Sequence, residues 1–143
     1  MSKIEIDVLD ELNKGACMGM DAIKYVLDKI ESKKLYTLLE KQYDEYNSIS
    51  QRICNMYPEY ADKKPKETST MTKVMTWYGI EMKTMIDSTD SKIAELIMQG
   101  TNMGIIEGRR LLNHKETNTE INELVNEYVN NQEECVENLK KFL

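Results

Sequence analysis

Both prolines of this chain, Pro58 and Pro65, fall in one short stretch, and that placement constrains the fold more than any other feature. A proline inside a helix removes a backbone hydrogen bond and clashes with the preceding turn. The chain on either side is free of that breaker. Leu, Glu, Lys and Met are abundant there, and glycine is scarce, with six residues in all. These residues favour helix, so the expectation is an all-helical protein. At 143 residues the chain is long enough for one domain with a full core.

Apolar residues recur at steps of three and four, the signature of amphipathic helices. A first helix opens on Ser2 and Glu5, a capping box, and runs to about Glu31. Ser32 caps a second, which stops before Pro58. Residues 58–69 have linker composition. A third stripe follows, carried by Met71, Val74/Met75, Tyr78, Met82 and Met85/Ile86. Residues 87–91, DSTDS, favour caps and turns and separate it from a fourth stripe ending near His114. The phase of the stripes barely changes there, so one long helix over 70–113 is the alternative. Thr117 and Glu120 form a second capping box before the last helix. The single domain, 1–143, thus divides into a hairpin 2–57, a linker and crossover helix 58–87, and a hairpin 88–142.

Residues 14–20, KGACMGM, echo residues 99–105, QGTNMGI, each in the middle of the first helix of a hairpin. A glycine in a helix interior costs about 1 kcal/mol relative to alanine, so five of them need a reason. Gly15 and Gly19 lie on one helix side, as do Gly100, Gly104 and Gly108. Smooth faces of this kind let backbones approach closely, and the added contact offsets the propensity cost. The expectation is a tight crossing of helix 2–31 on helix 88–114.

Two hairpins joined by a long crossover match the ferritin-like four-helix plan. On the segments KGACMGMDAI and IAELIMQGTNMGIIE the chain resembles small ferritin-like bundle proteins of low-GC Gram-positive bacteria, some of them related to spore-coat bundles. The resemblance implies a fold and no particular activity. Ferritin-like di-iron centres use Glu-x-x-His on two helices. This sequence has no such motif, and its one histidine, His114, sits at a helix end, so a conventional di-iron centre is excluded.

Glu11 and Glu107 fall in phase with the apolar stripes. An antiparallel crossing would bring the two carboxylates together, where they could hold a cation or share a proton. The competing reading turns each outward to Lys14, Arg109 or Arg110. Cys17, Met18 and Met20, with Met98 and Met103, have soft-metal character, but methionine at helical spacing is ordinarily core filling. Arg109 and Arg110 follow Gly108 inside a helix, which offers no free N–H groups for a phosphate. No catalytic or cofactor-binding residue is assigned.

A net charge of −6 argues against nucleic acid. No run is apolar enough to span a membrane, and the first residues lack the features of a signal peptide. Three cysteines without metal spacing fit a reduced, cytoplasmic chain. The methionine stripe Met71, Met75, Tyr78 and Met82 has no counterpart in the repeat and is the expected interface with another chain. The functional expectation is a non-catalytic bundle acting through protein contacts as a homodimer. The alternative is a ferritin-like protein with a degenerate carboxylate site for a metal or small ligand.

Overall fold

The computed structural model describes residues 3–67 and 73–143, with side chains in the second stretch from residue 75 onward. The described residues form five α-helices: α1 (Lys3–Val26), α2 (Lys33–Met56), α3 (Lys73–Lys83), α4 (Asp90–His114) and α5 (Thr119–Leu139). Short 3-10 turns follow α1, α2 and α5. Among the described residues there is no strand, and no helix is long and apolar enough to cross a membrane. Ser2 of the first capping box and Met71 of the third stripe lie outside the described residues.

Local chemistry sets the helix ends. The Ser32 hydroxyl accepts a hydrogen bond from Leu35 N at 3.2 Å and starts α2. The break at DSTDS is real, so residues 70–113 are not one helix: Asp87 Oδ1 accepts from Thr89 N at 2.9 Å, and Thr89 Oγ1 caps α4 by accepting from Lys92 N. Ile86, assigned to the third stripe, falls in this turn and is 99% exposed. The cap of α5 is Asn118, whose Oδ1 accepts from Ile121 N at 3.0 Å. Thr117 therefore lies one residue outside the cap, and Glu120 is one position too early to close a box with it.

The four long helices pack in a ring, α1 on α2 and α4, and α5 on α4 and α2. Side-chain contacts fix their directions. Tyr57 at the end of α2 meets Asp10 near the start of α1, so those two run antiparallel. Arg52 and Glu45 of α2 face Glu127 and Cys135 of α5, again antiparallel. The Asp90 carboxylate accepts from both Glu31 N (3.0 Å) and Ser32 N (2.8 Å), which brings the start of α4 to the turn between α1 and α2. Helices α2 and α4 therefore begin at the same end, and residues 57–89 carry the chain back along the bundle.

That return segment is pinned by two buried polar residues of α1. Asp10 Oδ1 accepts from Tyr57 Oη (2.9 Å) and from Lys66 N (3.0 Å). Asn13 donates to Lys66 O at 3.0 Å and accepts from Ser50 Oγ at 2.6 Å. Tyr57 is fully buried, so losing its acceptor leaves a hydroxyl without a partner in the core. Asp10→Ala should lower unfolding free energy by about 1–3 kcal/mol. Asp10→Asn, which keeps an acceptor, should recover part of this in a urea titration. A change within about 0.5 kcal/mol for Asp10→Ala would show that the strap is not held here.

Candidate functional site

Helices α1 and α4 run antiparallel with their glycine faces turned inward, and between them lies a cavity of about 480 Å³. All five expected glycines line it: Gly15, Gly19, Gly100, Gly104 and Gly108. They do not meet as backbone against backbone. A Cβ at Gly15 would lie 2.5 Å from Tyr128 Oη, one at Gly100 2.6 Å from Tyr78 Oη, and one at Gly104 2.8 Å from Gln132 Nε2. At Gly19 it would run into the Tyr46 ring, and at Gly108 into a methyl group of Val129. The tight α1–α4 crossing is thus corrected. The missing side chains admit large side chains from other helices, and between those they leave space.

The internal echo extends to this packing. Gly19 is covered by Tyr46, 27 residues on, and Gly104 by Gln132, 28 residues on. The covering residues are themselves bonded, Tyr46 Oη donating to Gln132 Oε1 at 2.9 Å. Thus each hairpin supplies one glycine and one polar cover, and the covers meet in the middle of the molecule.

Around that contact sits a belt of uncharged polar side chains. Gln42 Nε2 donates to Tyr46 Oη (3.2 Å) and to Thr101 Oγ1 (2.9 Å), and Thr101 Oγ1 donates to Ile97 O (2.7 Å). Gln42, Tyr46, Thr101 and Gln132 are all at least nine-tenths buried. Gln42 Oε1, Gln132 Nε2 and Tyr78 Oη are buried with no hydrogen-bond partner. Gln42, Tyr46, Tyr128 and Gln132 fall in phase with the apolar positions of their helices. Their alignment with the glycines was the available signal for a site.

Glu11 and Glu107 line the same cavity, as an antiparallel arrangement requires. Each is held by a cation one turn on in its own helix, Glu11 by Lys14 and Glu107 by Arg110, both at 3.1 Å. Arg109 reaches Glu133 on α5 at 3.1 Å. Among the described residues no three His, Cys, Asp or Glu side chains come together as a metal site would require. Met18 and Met103 face the cavity, whereas Met20 and Met98 pack against the core. His114 is exposed at the end of α4.

The expected interface stripe is turned inward. Tyr78 and Met82 are buried, 7% and 5% exposed, and Met75 and Tyr78 cover one end of the cavity. Helix α3 lies against α4 and spends this face within its own chain. Trp77 and Ile80 point outward instead, 51% and 55% exposed.

Burial holds four of the eight tyrosines in the neutral form. It pushes the Tyr57 phenol up to about 12, helped by its bond to the Asp10 carboxylate. The phenols of Tyr46, Tyr78 and Tyr128 are also raised well above their ordinary value, in each case chiefly by burial. A phenol raised on folding contributes stability in full below its ordinary value of 10.0, and that contribution is lost as pH climbs through the folded value. For Tyr57 the window is 10 to about 12. These four phenols should therefore ionise only together with loss of helical dichroism, read as tyrosinate absorbance against far-ultraviolet signal. Ionisation of these four with the fold intact would contradict the packing.

No family model, curated protein or solved structure matches this chain.

Proposed function

We propose that this chain is a ferritin-like four-helix bundle that binds a small, largely apolar molecule between α1 and α4. The observation that carries the reading is the open 480 Å³ between two helices that place glycine at five facing positions. Protein interiors are close-packed, and voids larger than a water molecule are few. Binding cavities have this size, sit between bundle helices and combine apolar walls with a few polar groups. The ring of helices and the long return from α2 to α4 fit the ferritin-like plan, in which ligand sites are built from facing helices. The two carboxylates of the lining, Glu11 and Glu107, are paired with Lys14 and Arg110, and its other polar groups are amides, phenols and a threonine, which suits an organic ligand better than a metal ion. The test is a crystal of the protein under xenon pressure. Xenon in ordered positions between α1 and α4 is the expected result. A closed α1–α4 interface with no xenon would remove the reading.

A second reading, favoured by the outward Trp77 and Ile80 on one side of α3, is a homodimer acting through protein contacts. It predicts a dimeric mass by sedimentation that falls to monomer in Trp77→Glu/Ile80→Glu. A wild type that stays monomeric at high concentration would end it.

A further inference from the structure

One end of the bundle differs from the rest in charge. Helix α1 finishes there, and α2 and α4 begin there, joined by the Asp90 carboxylate on the backbone of Glu31 and Ser32. The short turn 84–89 brings the end of α3 to the same place. Helix α5 finishes there too: Lys41 of α2 meets Glu134 at 3.8 Å, and the 3-10 turn Lys140–Phe142 packs against α4. The terminal turns and the segments between them are residues 23–36, 80–93 and 136–143. They carry eight of the 19 cationic side chains and six of the 25 acidic ones. A chain with a net charge of −6 thus has one positive end.

The lysines of this end are available, whereas most of its carboxylates are engaged. Lys24, Lys33, Lys34, Lys83 and Lys141 are exposed, and none of them forms an ion pair among the described residues. Asp90 is bound to two backbone N–H groups and Asp87 to a third. Asp28 and Glu137 face Lys29 and Lys140. Apolar groups stand out at the same end. Ile86, in the turn before α4, is 99% exposed, and the rings of Tyr25 and Tyr36 are 41% and 38% exposed. Lys29 Nζ lies 4.6 Å from the centre of the Tyr25 ring.

We infer that this end docks on the surface of an anionic lipid bilayer, with Ile86, Tyr25 and Tyr36 entering the head-group region and the free lysines on the lipid phosphates and carboxylates. The choice of cation favours a bilayer over a protein partner. All eight cations are lysine, and the three arginines of the chain, Arg52, Arg109 and Arg110, lie elsewhere. Protein interfaces enrich arginine and deplete lysine. A lysine lays its apolar stem along a membrane surface and keeps its charge in water, and tyrosine is enriched at that boundary. Each lysine beside an anionic surface strengthens binding by about fivefold. Stable attachment takes an apolar insert and a basic patch together, and this end supplies both. No helix has to cross the bilayer, and the inference is independent of the cavity.

The experiment measures co-sedimentation of the full chain with vesicles of phosphatidylcholine alone and of phosphatidylcholine mixed with phosphatidylserine. Binding to the mixed vesicles should be at least about tenfold tighter, and about 1 M salt, which screens surface charge within about 3 Å, should release most of it. Lys33→Glu/Lys34→Glu should weaken binding by at least about tenfold, and so should Ile86→Asp. These side chains are exposed, so helical dichroism should stay unchanged; if a variant does not fold, the lipid and salt dependence of the wild type decides. Lys63→Glu/Lys64→Glu makes the same change of charge on the return segment near Lys66, and should keep binding within about threefold. No binding, or equal binding to both vesicles, would overturn the inference. An equal loss in the Lys63 and Lys64 pair would overturn it by reducing the effect to net charge, and unaltered binding by Ile86→Asp would overturn the insertion. Polyglutamate bound as tightly as the mixed vesicles would assign the face to an acidic protein, and would overturn it as well.

Discussion

Replacing Tyr46 with alanine should cost about 3–5 kcal/mol of stability, the range for emptying a large aromatic site in a packed core. The ring is 5% exposed, fills the notch above Gly19 and lies 6.2 Å from the Tyr128 ring. Tyr46→Phe separates two contributions. It keeps the ring but removes the hydroxyl that bonds Gln42 and Gln132, leaving Gln132 Oε1 without its donor. That change alone should cost about 1–3 kcal/mol. Chemical denaturation with an unchanged m value is the appropriate measurement. If Tyr46→Phe were as stable as the wild type, the polar belt would not hold the core together.

Alanine at Gly19 and alanine at Gly79 should act in opposite directions. Both glycines sit in helices, where alanine is favoured by about 1 kcal/mol. At Gly79 no other atom lies within 4 Å of where the Cβ would go, so Gly79→Ala should raise stability by up to about 1 kcal/mol. At Gly19 the Cβ would run into the Tyr46 ring, a rigid group held by two hydrogen bonds. Overpacking of this kind costs about 1–3 kcal/mol, and Gly19→Ala should be net destabilising. The cost should vanish when Tyr46 is also alanine, because the clash has then lost its partner. Stabilisation at Gly19 in the wild-type background would mean that the ring and the helix are not in contact.

Much of the fold was legible because it rests on local rules. Helical periodicity, the scarcity of prolines and the Ser32 cap are properties of neighbouring residues. The break at DSTDS followed from short polar side chains that bond their own backbone, as Asp87 and Thr89 do. The less legible parts depend on what stands opposite. Glycines spaced four apart announce a close approach, but the sequence does not say of what. Here tyrosines and a glutamine approach, where helix backbones were expected. Helix α3 has apolar residues on both sides, Tyr78 and Met82 on one and Trp77 and Ile80 on the other, and composition does not decide which side turns inward. Nothing local to Asp10 and Asn13 marks them for the interior, yet they are buried and supply partners for the return segment's backbone at Lys66. Gln42 and Gln132 sat on apolar stripes and carried no signal of their own until the glycines opposite were known to leave a space.

The central claim is that the space between α1 and α4 receives a molecule. Its most direct test is the set of backbone amide resonances of Gly15, Gly19, Gly100 and Gly104 during titration with 1-octanol. These four residues come from two helices and share only the cavity wall. If the cavity is a binding site, their resonances should move together and saturate at one equivalent, while that of Gly79, outside the cavity, stays in place. If all glycine resonances drift without saturation, or none moves at concentrations that saturate the solution with the alcohol, the glycine faces enclose no site and the account is wrong.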